Sequence, residues 1–372
     1  MDTNDISQHV KEDIEQEVIR RYAEGADTVQ PELCCPVSYD GEYLKILPQE
    51  IIEKDYGCGD PSKWAIDGDT VLDLGSGAGK ICYILAQKVG ASGQVIGVDF
   101  NDTMLDLARK YQDEIAEKIG YANVDFRKGK IQDLGLCMSQ AHQWLKNHPV
   151  TSPEDLHVFE AECERIRREE PLVKTNSVDL IVSNCVLNLV KPEDKKHLFK
   201  DMFRVLRPGG RAVISDIVCD IDPTPEILAD PELWSGCISG AFREDLFQEM
   251  FAEAGFIGME ILVRQEEPWQ IIDGVEFRSM TLRAWKPREA DLNTETPRRH
   301  VVYRGPWKTV TDDKGCTFER GLRTPVSERE FLDIAHGTSP LASQFIAIDA
   351  EAKKSTDSSC CGPSSGESSG CC

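Results

Sequence analysis

Val71-Leu72-Asp73-Leu74-Gly75-Ser76-Gly77-Ala78-Gly79 is the stretch that decides the fold. A short apolar run passes into glycines at alternate positions and then into a helical pattern. Glycine there makes the tight turn and lets the backbone approach a ligand closely, so the segment reads as strand end, cofactor loop and helix start.

The rhythm continues outward from it. Strands are expected at 70–74, 94–100, 124–128, 178–183 and 210–217, with helices at 79–89, 101–119 and 191–206 between them. Such alternation implies a parallel sheet covered on both faces. Candidates at 259–264 and 277–285 complete seven strands, and Arg207-Pro208-Gly209-Gly210 reads as a turn delivering the chain into the fifth. Residues 134–176 interrupt the rhythm with His142, Trp144, His148 and the charged stretch 160–170. They read as a helical insertion, either a lid or a solvated decoration.

Four segments are expected. Residues 1–60 form an N-terminal helical and cysteine segment, in which Val10, Ile14, Val18, Ile19 and Tyr22 recur at helical spacing ahead of Cys34-Cys35. Residues 61–287 form the cofactor domain. Composition shifts after Pro287, and 288–349 read as a small β-rich C-terminal domain. Residues 350–372 are Ser, Gly and Lys without hydrophobic period, carry Cys360-Cys361 and Cys371-Cys372, and read as a disordered tail.

The 372 residues carry 42 basic and 65 acidic side chains, a net charge of −23. Phosphate binding needs clustered Lys and Arg, so neither nucleic acid nor an anionic membrane is expected as partner. No apolar run reaches the ~18–20 residues of a membrane span, and the polar N-terminus has no signal-peptide core. The chain is expected to be a cytoplasmic monomer acting on a small molecule. Its 14 cysteines then read as thiols or soft-ion ligands rather than a disulfide framework. None has the C-x-x-C spacing of a zinc ribbon.

The glycine loop alone leaves a dinucleotide enzyme as the rival. The G-x-G-x-G spacing, shorter than G-x-G-x-x-G, favours S-adenosylmethionine over a bulky pyrophosphate. Asp73 is placed to meet the cofactor's ammonium group. Asp99, ending the second strand, is placed for the ribose hydroxyls, and Phe100 for the adenine face. Ile131 and Gln132 follow the third strand, where the adenine edge would lie, and Gly75, Gly77, Gly79 and Asn184 complete the expected set.

Three cysteines stand in unusual contexts: Tyr56-Gly57-Cys58-Gly59, Ser183-Asn184-Cys185-Val186 and Trp234-Ser235-Gly236-Cys237. A packing residue gains little from glycine on both sides, whereas a ligand that must approach its substrate closely does. Cys185 ends a strand at the cofactor edge of the sheet, where open α/β folds bind ligands. Cys82, Cys137, Cys163, Cys219 and Cys316 read as packing residues instead.

On these motifs, with Arg207-Pro208-Gly209-Gly210 and residues 277–285, the chain resembles the arsenite S-adenosylmethionine methyltransferases over about residues 15–285. The resemblance implies a class I methyltransferase fold, a Rossmann-like doubly wound sheet. It implies methylation of arsenite and methylated arsenicals for detoxification. Cys185 and Cys237 would hold trivalent arsenic at rest, Cys58 would be the third thiolate during turnover, and Cys34 or Cys35 would form a disulfide with Cys58 after methyl transfer. Tyr56 would sit near the sulfonium, and a thiol such as thioredoxin or glutathione would reset the enzyme. The chemistry is coherent: arsenic(III) is thiophilic, and its lone pair can attack an in-line methyl group without a general base. The rival readings are a methyltransferase of another small molecule with structural cysteines, and a metalloid-sequestering protein.

Overall fold

The computed structural model describes residues 16–25, 37–54, 56–288, 299–312, 315–327, 330–331, 334 and 343–348. The chain divides into two compact units, Met1–Arg288 and Glu289–Cys372. Among the described residues no helix is long and apolar enough to cross a membrane.

The first unit is built on one sheet. Its strands are β1 (Thr70–Leu74), β2 (Gln94–Asp99), β3 (Val124–Lys128), β4 (Val178–Asn184), β5 (Leu206–Cys219), β6 (Phe242–Arg243), β7 (Ile257–Arg264), β8 (Gln270–Ile272) and β9 (Val275–Trp285). The main path runs β3-β2-β1-β4-β5-β9-β7. The first five strands of that path pair in parallel, and β9 is antiparallel to both β5 and β7. Apolar runs such as Val71-Leu72 and Leu180-Ile181-Val182 are buried because helices cover both faces. The helices Lys80–Val89 and Asp102–Lys110 pack on one face, and Pro192–Val205 and Glu244–Glu253 contribute to the core on the other. This is the class I methyltransferase arrangement. The chain proceeds from β1 to one side and returns through β4 on the other, so a crevice opens beyond the carboxyl ends of β1 and β4. Open α/β sheets bind ligands at such a switch point.

Three details differ from the sequence expectation. The expected helix 101–119 is two helices, Asp102–Lys110 and Gln112–Ile119, broken at Tyr111. Arg207-Pro208-Gly209-Gly210 is not a separate turn before β5 but a bulge within it. Val178 pairs with Leu206 and Leu180 with Arg211, so these four residues loop out opposite Asp179. Gly209 takes φ +81°, which only glycine adopts without strain, and Pro208 has no N–H to lose. The short strands β6 and β8 carry too little periodicity to be seen in sequence.

The inserted stretch forms two helices, Met138–Asn147 and Pro153–Glu169. Trp144 stacks on His148 and meets Phe159. Arg127 of β3 donates to Leu172 C=O at 2.6 Å and Leu134 N–H donates to Asp201 Oδ2, on the helix Pro192–Val205, at 2.7 Å, which ties the insertion to the sheet and to the helix that covers it. Its outer face is a ladder of pairs from Arg165 to Glu162, Glu169 and Glu170.

The second unit has β10 (Arg299–Tyr303), β11 (Thr309–Thr311), β12 (Thr317–Glu319), β13 (Arg323–Val326) and β14 (Phe345–Ile348). Strands β13-β10-β14 form an antiparallel sheet and β11 and β12 a hairpin, around Val301, Tyr303, Phe318, Val326 and Phe345. The tail 350–372 lies outside the described residues.

Candidate active site

The loop after β1 shapes a cleft enclosing about 1090 Å³, its open mouth included. Gly75 has φ +71°, and a Cβ on it would lie 2.4 Å from the Val186 side chain. Gly77 has φ +49°, and its N–H donates to Asp99 Oδ2 at 2.9 Å, while Asn101 N–H donates to Asp99 Oδ1. Burial pushes the Asp99 carboxyl up, against the pull of these backbone donors. The walls include Asp73, Phe100, Ile131, Gln132, Tyr56 and Asn184, with Val18 and Tyr22 from the helix at residues 16–25. Gly79 is not among the lining residues. It opens the helix in the left-handed region, where a Cβ would meet Phe126 at 2.8 Å.

These features fit S-adenosylmethionine. Gly75 and Gly77 hold the loop in left-handed backbone against the cleft, and a Cβ on Gly75 would collide with Val186 in its wall. Asp99 offers acceptors at the ribose position. The buried Ser76 hydroxyl, also in the cleft wall, has no hydrogen-bond partner among the described residues. Asp73 is buried and accepts the Cys82 thiol at 3.2 Å. Tyr56 turns its hydroxyl to Gly25 C=O at 2.9 Å and presents its ring edge-on to Tyr22.

Cys185 belongs both to this cleft wall and to a second cluster behind it. Three segments distant in sequence deliver Cys58, Cys185 and Cys237 there, all buried and all free thiols. Cys58 comes from the loop before β1. A Cβ on Gly57 would lie 2.2 Å from Asn184 Nδ2, and one on Gly59 2.5 Å from Ser215 Oγ, so both flanking glycines permit close backbone contact. Cys185 follows β4 and Cys237 follows the short helix Pro231–Ser235. Cys185 has φ +61° and Cys237 φ +64°. Left-handed backbone costs a side-chain-bearing residue about 1–2 kcal/mol, and such outliers cluster where function constrains geometry.

The Cys237 thiol donates to Cys185 C=O at 3.0 Å, and the Tyr22 hydroxyl lies 3.9 Å from Cys237 Sγ. The sulfurs of Cys58 and Cys185 and a carboxylate oxygen of Asp216 lie within 4.8 Å of one another. The neighbouring Cys237 and Cys58 thiols, and burial after them, hold the Cys185 thiol well above its ordinary range. Burial likewise raises Cys58 and the Tyr22 phenol, and lifts Asp216 to about 7. These surroundings favour the neutral form of the Cys58 and Cys185 thiols. Cys34 and Cys35 lie outside the described residues.

Sequence reasoning did not single out Tyr22 for the site, nor Asp216 or Asn188. Asp216 Oδ2 accepts Leu187 N–H and its Oδ1 accepts Ile217 N–H, both at 2.9 Å. A buried Asp in the apolar strand segment Ile214–Val218 was the available signal, since unpaired carboxylates avoid strand interiors. Asn184 was expected only as a cofactor contact. It lines the cleft, but its amide is spent on the Cys58 loop.

The sequence profile of a methyltransferase-domain family matches residues 66–144 and 151–255, and that of a domain of unknown function (DUF8838) matches 294–369. The chain is 34% identical over 284 residues to an arsenite methyltransferase of Aquipseudomonas alcaligenes, covering 73% of this chain and 71% of that protein. It is 29% identical over 299 residues to the arsenite methyltransferase of Homo sapiens, covering 77% and 69%. The X-ray structure of an arsenic(III) S-adenosylmethionine methyltransferase from Chlamydomonas reinhardtii is similar at a TM-score of 0.57 and 27% identity, over 86% of this chain and 98% of that one.

Proposed function

The chain belongs to the arsenite methyltransferases, and from that premise we propose that it methylates trivalent arsenic held by Cys58, Cys185 and Cys237 on the wall of its S-adenosylmethionine cleft. The observation that carries this reading is the position of Cys185, which lines the cleft and also meets both other cysteines.

When bound, S-adenosylmethionine supplies an electrophilic methyl group. In this reading Asp99 accepts hydrogen bonds from the ribose, Asp73 faces the ammonium group, and Phe100, Ile131 and Gln132 enclose the adenine. The backbone at Gly75 and Gly77 bounds the cleft, and Tyr56 stands beside the reacting end. The three thiols take arsenite by condensation. Each As–O bond is replaced by an As–S bond, and each thiol proton leaves with the departing oxygen as water. Neutral, buried thiols suit this exchange, because both sides of it are uncharged and no isolated thiolate is buried. Three sulfurs then form a pyramid whose lone pair projects into the cleft. Fixing that direction is the protein's main contribution to rate, since a well-oriented reaction gains about 7–11 kcal/mol over a bimolecular one.

Methylation leaves arsenic formally pentavalent. The thiol of Cys34 or Cys35 can then attack the arsenic-bound Cys58 sulfur: the S–S bond forms as the As–S bond breaks, the electron pair of that bond stays on arsenic and returns it to the trivalent state, and the one thiol proton is released. An external thiol, thioredoxin or glutathione, then reduces that disulfide by exchange. Thiol conjugates of arsenite are suitable donors to the site, as they enter by the same sulfur exchange. The biological outcome is arsenic detoxification.

The test is arsenic speciation after incubating the protein with arsenite, S-adenosylmethionine and a thiol reductant, beside Cys185→Ser. Methylated arsenicals from the wild type and none from the variant are expected. Equal product from the variant would remove Cys185 from the reaction.

A further inference from the structure

The segment Ser183–Leu189 does more than contribute Cys185. Its two asparagines each hold one of the other cysteines. Asn184 Oδ1 accepts two backbone donors at once, Cys58 N–H at 2.9 Å and Gly59 N–H at 3.0 Å. Its Nδ2 donates to Gly59 C=O at 2.8 Å and to the Tyr39 hydroxyl at 3.2 Å. Opposite it, the Ser279 hydroxyl donates to Cys58 C=O at 2.6 Å. The Cys58 loop is thus gripped by its peptide groups, which leaves its thiol free to turn toward Cys185.

Asn188 is fully buried and grips the other cysteine. Its Nδ2 donates to Cys237 C=O at 3.0 Å and to Ile217 C=O at 2.8 Å. Gly240 packs so closely on the Asn188 carbonyl that a Cβ there would lie 1.9 Å from its oxygen. The turn itself is anchored by Asp216, which accepts Leu187 N–H.

We propose that Asn184 and Asn188 are separate positioning residues of the arsenic site, Asn184 setting Cys58 and Asn188 setting Cys237 against the Cys185 that lies between them. A single turn therefore fixes all three sulfurs. This rests on the reading of the three cysteines as arsenic ligands.

The two asparagines have different consequences. Removing the Asn184 amide leaves Cys58 N–H and Gly59 N–H without acceptors in a buried loop, so the loop moves to find them. Arsenic keeps Cys185 and Cys237 but loses its third sulfur. Removing the Asn188 amide frees Cys237, so the resting pair itself is weakened. A merely structural role would lower stability in both variants without separating these readouts.

The experiment is arsenic X-ray absorption on full-length protein loaded with arsenite and S-adenosylhomocysteine, which fills the cofactor cleft without donating a methyl group, with arsenite affinity read by tryptophan fluorescence. Wild type, Cys58→Ser, Asn184→Ala and Asn188→Ala are compared. Three As–S bonds are expected in the wild type and two in Cys58→Ser and Asn184→Ala, the latter keeping arsenite affinity within about threefold of wild type. Asn188→Ala is expected to lose affinity by about tenfold or more. Three sulfurs in Asn184→Ala, or wild-type affinity in Asn188→Ala, would overturn the proposal. Failure of the ligand reading looks different: Cys58→Ser would match a wild type that shows fewer than three sulfurs, and the Asn184 assignment would fall with it. If Asn184→Ala does not fold, Gly57→Ala tests the same contact from the other side. Its Cβ displaces the amide, and the same loss of one sulfur is expected.

Discussion

Cys185 and Cys237 have positive φ, +61° and +64°, so glycine and alanine replacements there should rank in an unusual order. Alanine deletes the sulfur but keeps the Cβ, and therefore keeps the strain of about 1–2 kcal/mol that a left-handed L-residue carries. Glycine removes that strain but adds unfolded-chain freedom worth about 0.5–1 kcal/mol. The difference leaves each glycine variant more stable than its alanine counterpart by about 0.5–1 kcal/mol, or ~1–4 °C in melting midpoint for a domain of this size. Cys82 is the control. It is equally buried but lies inside the helix Lys80–Val89, where glycine should be worse than alanine by about 1 kcal/mol. Thermal unfolding of the six variants, followed by circular dichroism, gives the ranking. Glycine above alanine at 185 and 237, with the reverse at 82, is expected. The same order at all three positions would refute the claim that the two site cysteines are held under backbone strain. Neither variant at 185 should methylate arsenic, since both lack the sulfur.

Asp216 has its carboxyl raised to about 7 by burial, so the folded protein binds a proton there that the unfolded chain releases near pH 4. Its stabilising contribution is full below about pH 4 and is lost as pH rises through about 7, so wild type should lose stability relative to Asp216→Asn across that window. A constant difference between the two denaturation midpoints would contradict this. Gly59→Ala places a Cβ 2.5 Å from the Oγ of the fully buried Ser215, at a cost of about 1–3 kcal/mol. It should depress arsenite turnover while leaving S-adenosylhomocysteine affinity by calorimetry nearly unchanged; equal losses in both would show that Gly59 serves the fold at large. Asp99→Ala leaves Gly77 N–H without its acceptor and removes the expected ribose contact, so S-adenosylhomocysteine should bind about tenfold or more weakly in the same assay. Unchanged affinity would remove Asp99 from the cofactor site.

Much of the sheet was legible in sequence because its signals are local. A buried parallel strand is a continuous apolar run, as in Val71-Leu72 and Leu180-Ile181-Val182, and the loop after β1 announces itself through glycines whose positive φ only they tolerate cheaply. The bulge at residues 207–210 was seen as a turn and not as part of β5, because a pairing register belongs to two strands and is written in neither alone. The cysteines stood out by their glycine and asparagine neighbours. What those neighbours do came only from the tertiary structure. Asn184 reaches Cys58 across 126 positions, Asn188 reaches Cys237 across 49, and Tyr22 reaches Cys237 across 215. Residue types along the chain determined that thiols and a methyl-donor loop are present. Their convergence, the left-handed backbone that aims two of them, and the surroundings that favour the neutral form of Cys58 and Cys185 arise from contacts between segments far apart in sequence, and only folding brings those together.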